Sequence, residues 1–123
     1  MVRFTLFLAA MACSAQAATA QTGDRRQLAN ELRAEVEAFR TSLPMREGVL
    51  SITAVALRGV EIVYTGTVHA DFDANQIATF RRAVVDGLCS QDTREVIRRG
   101  ASFTYDLRDE GGERFVTTIS RCE

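Results

Sequence analysis

The chain has 123 residues, a formal net charge of −1 and 46% apolar residues. That suffices for one small domain and is too little for two. Acidic residues are interspersed through every arginine-rich stretch, which excludes a nucleic-acid face and any polyanion partner recruited by bulk charge.

Met1-Val2-Arg3 opens the chain, an apolar run follows from Phe4 to Ala12, and the small-x-small stretches Ala15-Gln16-Ala17 and Ala18-Thr19-Ala20 come next. This layout predicts a secretory signal peptide over residues 1–20, cut after Ala17 or Ala20, because the apolar run is too short to span a bilayer. Residues 21–123 are then one exported domain, placed in the periplasm. Cleavage removes Cys13 and leaves two cysteines, which an oxidising compartment joins as a Cys89–Cys122 disulfide. A second reading keeps Cys13. Ala10-Met11-Ala12-Cys13-Ser14 resembles a lipobox that lacks a leucine three residues before the cysteine. On that reading Cys13 is lipidated and anchors the domain to the outer membrane, and a membrane attachment is expected only in that case.

Residues 24–43 read as a helix, with Leu28, Leu32, Val36, Phe39 and Leu43 recurring at three- and four-residue spacing and Pro44 as its stop. Two strands follow, 49–57 and 60–69, joined at Arg58-Gly59 as an antiparallel hairpin. A second helix starts at Asp73. That residue and Gln76 form a capping box, Phe72 and Ile77 are spaced as a hydrophobic staple, and Ile77, Phe80, Val84 and Leu88 make the buried stripe. Ser90 is spaced to cap a short continuation over 91–99, closed by Gly100. Alternation of Phe103, Tyr105 and Leu107, a turn at 109–112, and alternation of Phe115, Thr117 and Ile119 predict a second hairpin. The expected fold is α+β in the order α-β-β-α-(α)-β-β, with helices on one face of a four-stranded antiparallel sheet made of two hairpins, and one disulfide. The first helix is expected to be the segment most loosely tied to the rest, since the disulfide constrains only the C-terminal half.

Few residues suggest chemistry. His69, Asp71 and Asp73 would share a face in an extended segment and could hold a divalent metal, but Asp73 is already used as a helix cap and Asp71 lies in a loop. Both retained cysteines are committed to a disulfide, and no G-x-S-x-G elbow surrounds a serine. Gly111-Gly112 closes a hairpin and is not followed by a helix, so it is no phosphate loop. The expectation is a non-enzymatic protein without metal or cofactor.

The residues do resemble a family. Leu43-Pro44 after a first helix, two strands, Phe80 on a helix running into Cys89, Asp92, a helix closed by Gly100, Tyr105 on a strand, a turn containing Gly111 and a final Cys122 are similar to the AspS-type pilotins of type II secretion. The likeness covers roughly residues 28–122, and its most specific part is the Cys–helix–Gly–strand–turn–strand–Cys unit from 89 to 122. The same unit occurs in other small exported proteins, so it marks a fold more firmly than a role. The resemblance implies a small periplasm-facing module that escorts an outer-membrane secretin by binding a C-terminal segment of it, as an amphipathic helix in an apolar groove. The lipid is how such a protein reaches the outer membrane, so without it a soluble periplasmic protein of this fold, with another role, is the reading that remains. The groove is expected where the first helix meets the sheet, around Phe39, Leu43 and Val49.

Overall fold

The computed structural model describes residues 23–90 and 92–122; the expected signal peptide over 1–20, its expected cleavage site and Cys13 lie outside them. Residues 23–40 form helix α1. Its inward stripe is the one the spacing predicts, with Leu28, Leu32 and Val36 at 1%, 2% and 2% exposure. The helix ends at residue 40 and not at 43. The amides of Thr41, Ser42 and Leu43 instead donate to the carbonyls of Ala38, Phe39 and Arg40 (3.3, 3.0 and 3.3 Å), a tightened last turn that satisfies the terminal carbonyls.

Five strands follow, β1 (Met45–Glu47), β2 (Leu50–Arg58), β3 (Glu61–Val68), β4 (Ser102–Arg108) and β5 (Arg114–Ile119), with helices α2 (Ala74–Cys89) and α3 (Thr93–Arg98) between β3 and β4. The sheet is five-stranded and mixed, in the order β1-β2-β3-β4-β5, which corrects the expected four-stranded antiparallel arrangement in two respects. The first is β1. It returns on β2 through a two-residue turn (Glu47↔Leu50), with Gly48 at φ 59° as such a turn demands, and is too short to show alternation. The second is that both expected hairpins are present but their inner strands, β3 and β4, run parallel, from Glu61↔Ser102 to Thr67↔Arg108. Hairpin signals are local and leave that direction open. The crossover over residues 69–101 decides it, since a parallel neighbour needs a long, usually helical, return. The chain re-enters the sheet beside the start of β3, where the Ser102 amide donates to the Val60 carbonyl (3.1 Å).

One parity of each strand faces the helices. Ile62 and Val68 on β3, Phe103 and Leu107 on β4, and Ile119 on β5 are buried, whereas Thr65, Thr67 and Thr118 on the other face are exposed. On β2 the parity changes at an irregularity in register between Ile52 and Ala54. The extra residue, Thr53, lets both Ile52 and Val55 point inward, as a bulge does. Gly66 lies opposite Ile52, and a Cβ built there would be 2.0 Å from the Ser51 carbonyl oxygen.

The start of α2 matches its sequence. The Gln76 amide donates to Asp73 Oδ1 (2.8 Å) and the Asp73 amide to Gln76 Oε1 (3.0 Å), both halves of the capping box. The Phe72 ring lies against Phe80 (6.0 Å) and Phe115 (5.4 Å). Ser90 serves the end of α2, donating to the Gly87 carbonyl (3.2 Å), instead of capping α3. Gly100, at φ 112°, closes α3 as predicted, with its amide on the Ile97 carbonyl (3.0 Å). Burial reverses the expected order of attachment: α1 carries some of the deepest residues of the core, while α2 has no fully buried residue. What holds α2 is in part covalent, because Cys89 at its end is bonded to Cys122 with Cα atoms 5.7 Å apart.

Two outcomes follow from this architecture. The cysteines are 33 residues apart, and closing a loop of that length stabilises a domain by about 3–4 kcal/mol through the unfolded chain. A Cys89→Ser/Cys122→Ser protein should therefore lose that much in urea denaturation, and an unchanged midpoint would show that the bond adds nothing. Gly66→Ala drives a methyl into the β2 backbone and should cost about 3 kcal/mol or more; a variant as stable as the parent would mean that β2 and β3 are not in this register.

Candidate functional site

The two long helices lie over different halves of the sheet. α1 crosses β2 and β3, with the Phe39 ring edge-on to Tyr64 (5.2 Å) and Arg40 Nη2 donating to the Val55 carbonyl (3.3 Å). α2 crosses β4 and β5, with the Phe80 ring on Tyr105 and Phe115 (both 5.9 Å) and Arg81 Nη1 donating to Thr117 Oγ1 (2.6 Å). Tyr64 and Tyr105 are register partners across the parallel pair, and their rings stack between the helices at 5.0 Å. Aromatic side chains therefore run without a break from α1 to the β5 edge.

On the α1 side of this run the helices leave a groove of about 600 Å³. Val55, Ile62, Tyr64 and Phe103 of β2, β3 and β4 form its floor. Leu32, Val36 and Phe39 of α1, with Glu31 and Glu35 along the rim, make one wall, and Asp92, Thr93 and Val96 at the start of α3 make the other. The groove is apolar below and acidic above, and among the described residues no basic side chain lines it.

Of the three residues expected to contact a partner, Phe39 lines this groove. Leu43 is half-buried and packs against both hydrophobic clusters of the core. Val49 is 48% exposed in the β1–β2 turn, its carbonyl accepting from the His69 amide (2.7 Å). The structure brings Phe39 and Leu43 into one packed region and leaves Val49 at the sheet edge. The second wall comes from Asp92, Thr93 and Val96, and part of the floor from Phe103, none of which the sequence nominated. Each reads as ordinary helix or strand, and the only available signal was that a small α+β domain must leave its cleft where two helices diverge.

The polar residues weighed for chemistry have other partners. His69 Nε2 lies 2.7 Å from Ser51 Oγ, Asp73 caps α2, and the Asp71 carboxylate sits beside Gly111. Among the described residues no three His, Cys, Asp or Glu side chains converge as a metal site would require, and no helix is long and apolar enough to cross a membrane. The clearest electrostatic effect lies under the groove. Burial, reinforced by Tyr105 and Glu35, pushes the Tyr64 phenol far above its usual range, and burial, reinforced by Glu47, raises that of Tyr105.

Similarity to known proteins lies in the fold. No protein-family model and no curated protein sequence matches the chain. Among solved structures, the pilotin EpsS of the Vibrio vulnificus type 2 secretion system superimposes with a TM-score of 0.69 at 15% identity, over 79% of this chain and 91% of the pilotin. The type II secretion system pilotin AspS of Vibrio cholerae gives 0.68 at 17% identity, over 81% and 94%. A candidate secreted protein of Pseudomonas aeruginosa gives 0.64 at 16% identity, over 78% and 91%. The chain has the pilotin-like fold.

The two tyrosines are the only ones in the chain, which has no tryptophan, so phenolate absorbance reads the aromatic floor directly. Because folding disfavours their ionised forms, the associated stability is complete below the unfolded tyrosine pKa of about 10 and is lost as the pH rises above it. Alkaline titration should show both phenols ionising above that value, together with unfolding. Ordinary titration of both in a protein that stays folded would mean that the floor is open to water.

Proposed function

We propose that this chain is an exported, non-catalytic binding protein whose groove receives an amphipathic helical segment of a protein partner. The observation that carries this reading is the groove itself: an apolar floor left open between α1 and the start of α3. Helix-in-groove recognition needs such a surface, with anchors spaced along one helical face. The fold shared with two type II secretion pilotins supports the C-terminal segment of an outer-membrane secretin as the partner, and a role in its sorting and assembly. Phe39 is the proposed anchor contact, with Leu43 fixing the end of α1 behind it and Val49 extending the surface toward the sheet edge. In this role the protein works in the periplasm, held at the outer membrane if Cys13 carries lipid.

The candidate secreted protein of the same fold, with the lipobox lacking its leucine, favours a second reading: a soluble periplasmic protein with a different partner. The mass of the mature N-terminus separates the two, since lipid on Cys13 and a cut after Ala17 or Ala20 exclude one another.

The groove exposes only a small apolar area, since Val55, Ile62 and Phe103 at its base are buried, and association costs offset most of what covering it contributes, so binding in the micromolar range or weaker is expected. A peptide from the C-terminus of a secretin of the same cell should bind with that affinity by calorimetry. Phe39→Ala should weaken binding at least about tenfold, while its half-buried position limits the stability loss to about 1–2 kcal/mol. Absence of binding to the parent protein would remove the secretin reading, and a Phe39→Ala protein that only unfolds would place Phe39 in the core.

A further inference from the structure

The groove has a charge asymmetry that its apolar floor does not require. Successive turns of α1 place Glu31 and Glu35 on the flank that lines the groove, whereas the opposite flank, beside Leu57 and Gly59, carries Arg33 and Arg40 together with Glu37, which pairs with Arg40 at 2.7 Å. The facing wall adds Asp92, whose side chain makes no capping bond to α3. Glu31 is paired with Arg99 at 2.6 Å. Glu35 and Asp92 have no ion-pair partner among the described residues, and both are exposed.

From this distribution we infer that the segment the groove receives is basic as well as apolar. It is an amphipathic helix whose apolar face rests on the half-buried Phe39, Tyr64 and Val96 while arginine or lysine on its flanks meets Glu35 on one wall and Asp92 on the other. The inference rests on the docking reading above and narrows the chemistry of the partner. Carboxylates on both walls of a cleft with a low-dielectric floor focus negative potential into it. A helix with cations on both flanks matches that potential, and an acidic helix with the same apolar face meets like charge on each side.

The test uses protein purified from the periplasm and two synthetic helical peptides of ~15 residues, long enough to form helix on binding. Both carry leucine at positions i, i+3, i+4 and i+7; one has arginine on its flanks and the other glutamate. The arginine peptide should bind about tenfold more tightly than the glutamate peptide at low salt, and the gap should shrink at ~0.5 M salt, where screening is strong. Replacing both carboxylates, Glu35→Gln with Asp92→Asn, should weaken the arginine peptide about five- to tenfold at low salt without moving the melting temperature. Equal affinity of the two peptides overturns the inference and leaves the docking reading in place. Failure of both peptides to bind overturns the two together.

Discussion

The parallel pairing of β3 with β4 positions everything on the helical face of this protein. Two antiparallel hairpins can be joined with their inner strands in either direction, and only the parallel join needs the long return that carries α2 and α3. Once that return is made, α1 is confined to the β2–β3 half of the sheet and α2 to the β4–β5 half. The register then sets Tyr64 beside Tyr105, so the two tyrosines mark the line between the helices. The groove on the α1 side of that line, between α1 and the start of α3, follows from where the return lands. Its floor is sheet, the least deformable part of the fold, and its walls are helices that meet the sheet independently.

The walls are held by different forces. α1 is attached mainly by burial, with Leu28, Leu32 and Val36 in the largest cluster of core residues, supplemented by the Arg40–Val55 hydrogen bond and the Glu31–Arg99 ion pair. α2 buries no residue fully, and its attachment is shared among half-buried aromatic contacts, the Arg81–Thr117 hydrogen bond, its capping box and the Cys89–Cys122 bond. On the proposed docking role, α1, held mostly by non-directional apolar contact, is the wall that adjusts to a ligand, and the cross-linked α2–α3 corner is the fixed reference.

Much of this structure was legible in the chain because its signals are local. Asp73 and Gln76 are three residues apart and close the box they spell; Gly100 stops α3 in the left-handed region; Cys89 and Cys122 find each other. What was not legible is non-local. The direction of β4 relative to β3 depends on where a long crossover lands, and β1 is too short for periodicity to register. The shift of parity in β2 depends on one extra residue, Thr53, in a run whose two faces are both fairly apolar, so alternation alone could not reveal it. The candidate site shows the same division. Phe39 could be nominated from the stripe of one helix, but Val96 and Phe103 join it only because the parallel pairing carries α3 and β4 back to α1.

The same division bears on what the likeness to pilotins can mean. At 15–17% identity the fold superimposes over most of both chains, so the likeness is one of architecture and does not fix the side chains that line a groove. In this chain the floor is mostly generic, with Val55, Ile62 and Phe103 beside Tyr64, which any helix with an apolar stripe would satisfy on the docking reading. Such contacts supply affinity with little selectivity. The rim is not generic. Glu35 costs the fold nothing where it stands, since it is exposed and unpaired among the described residues, and the same holds for Asp92 across the groove. Neither carboxylate is needed to build the helix that carries it, so the fold leaves their identity open. On the proposed docking reading, discrimination between partners is then carried by residues that stability does not constrain, and one architecture can change its partner through rim substitutions while its core stays intact.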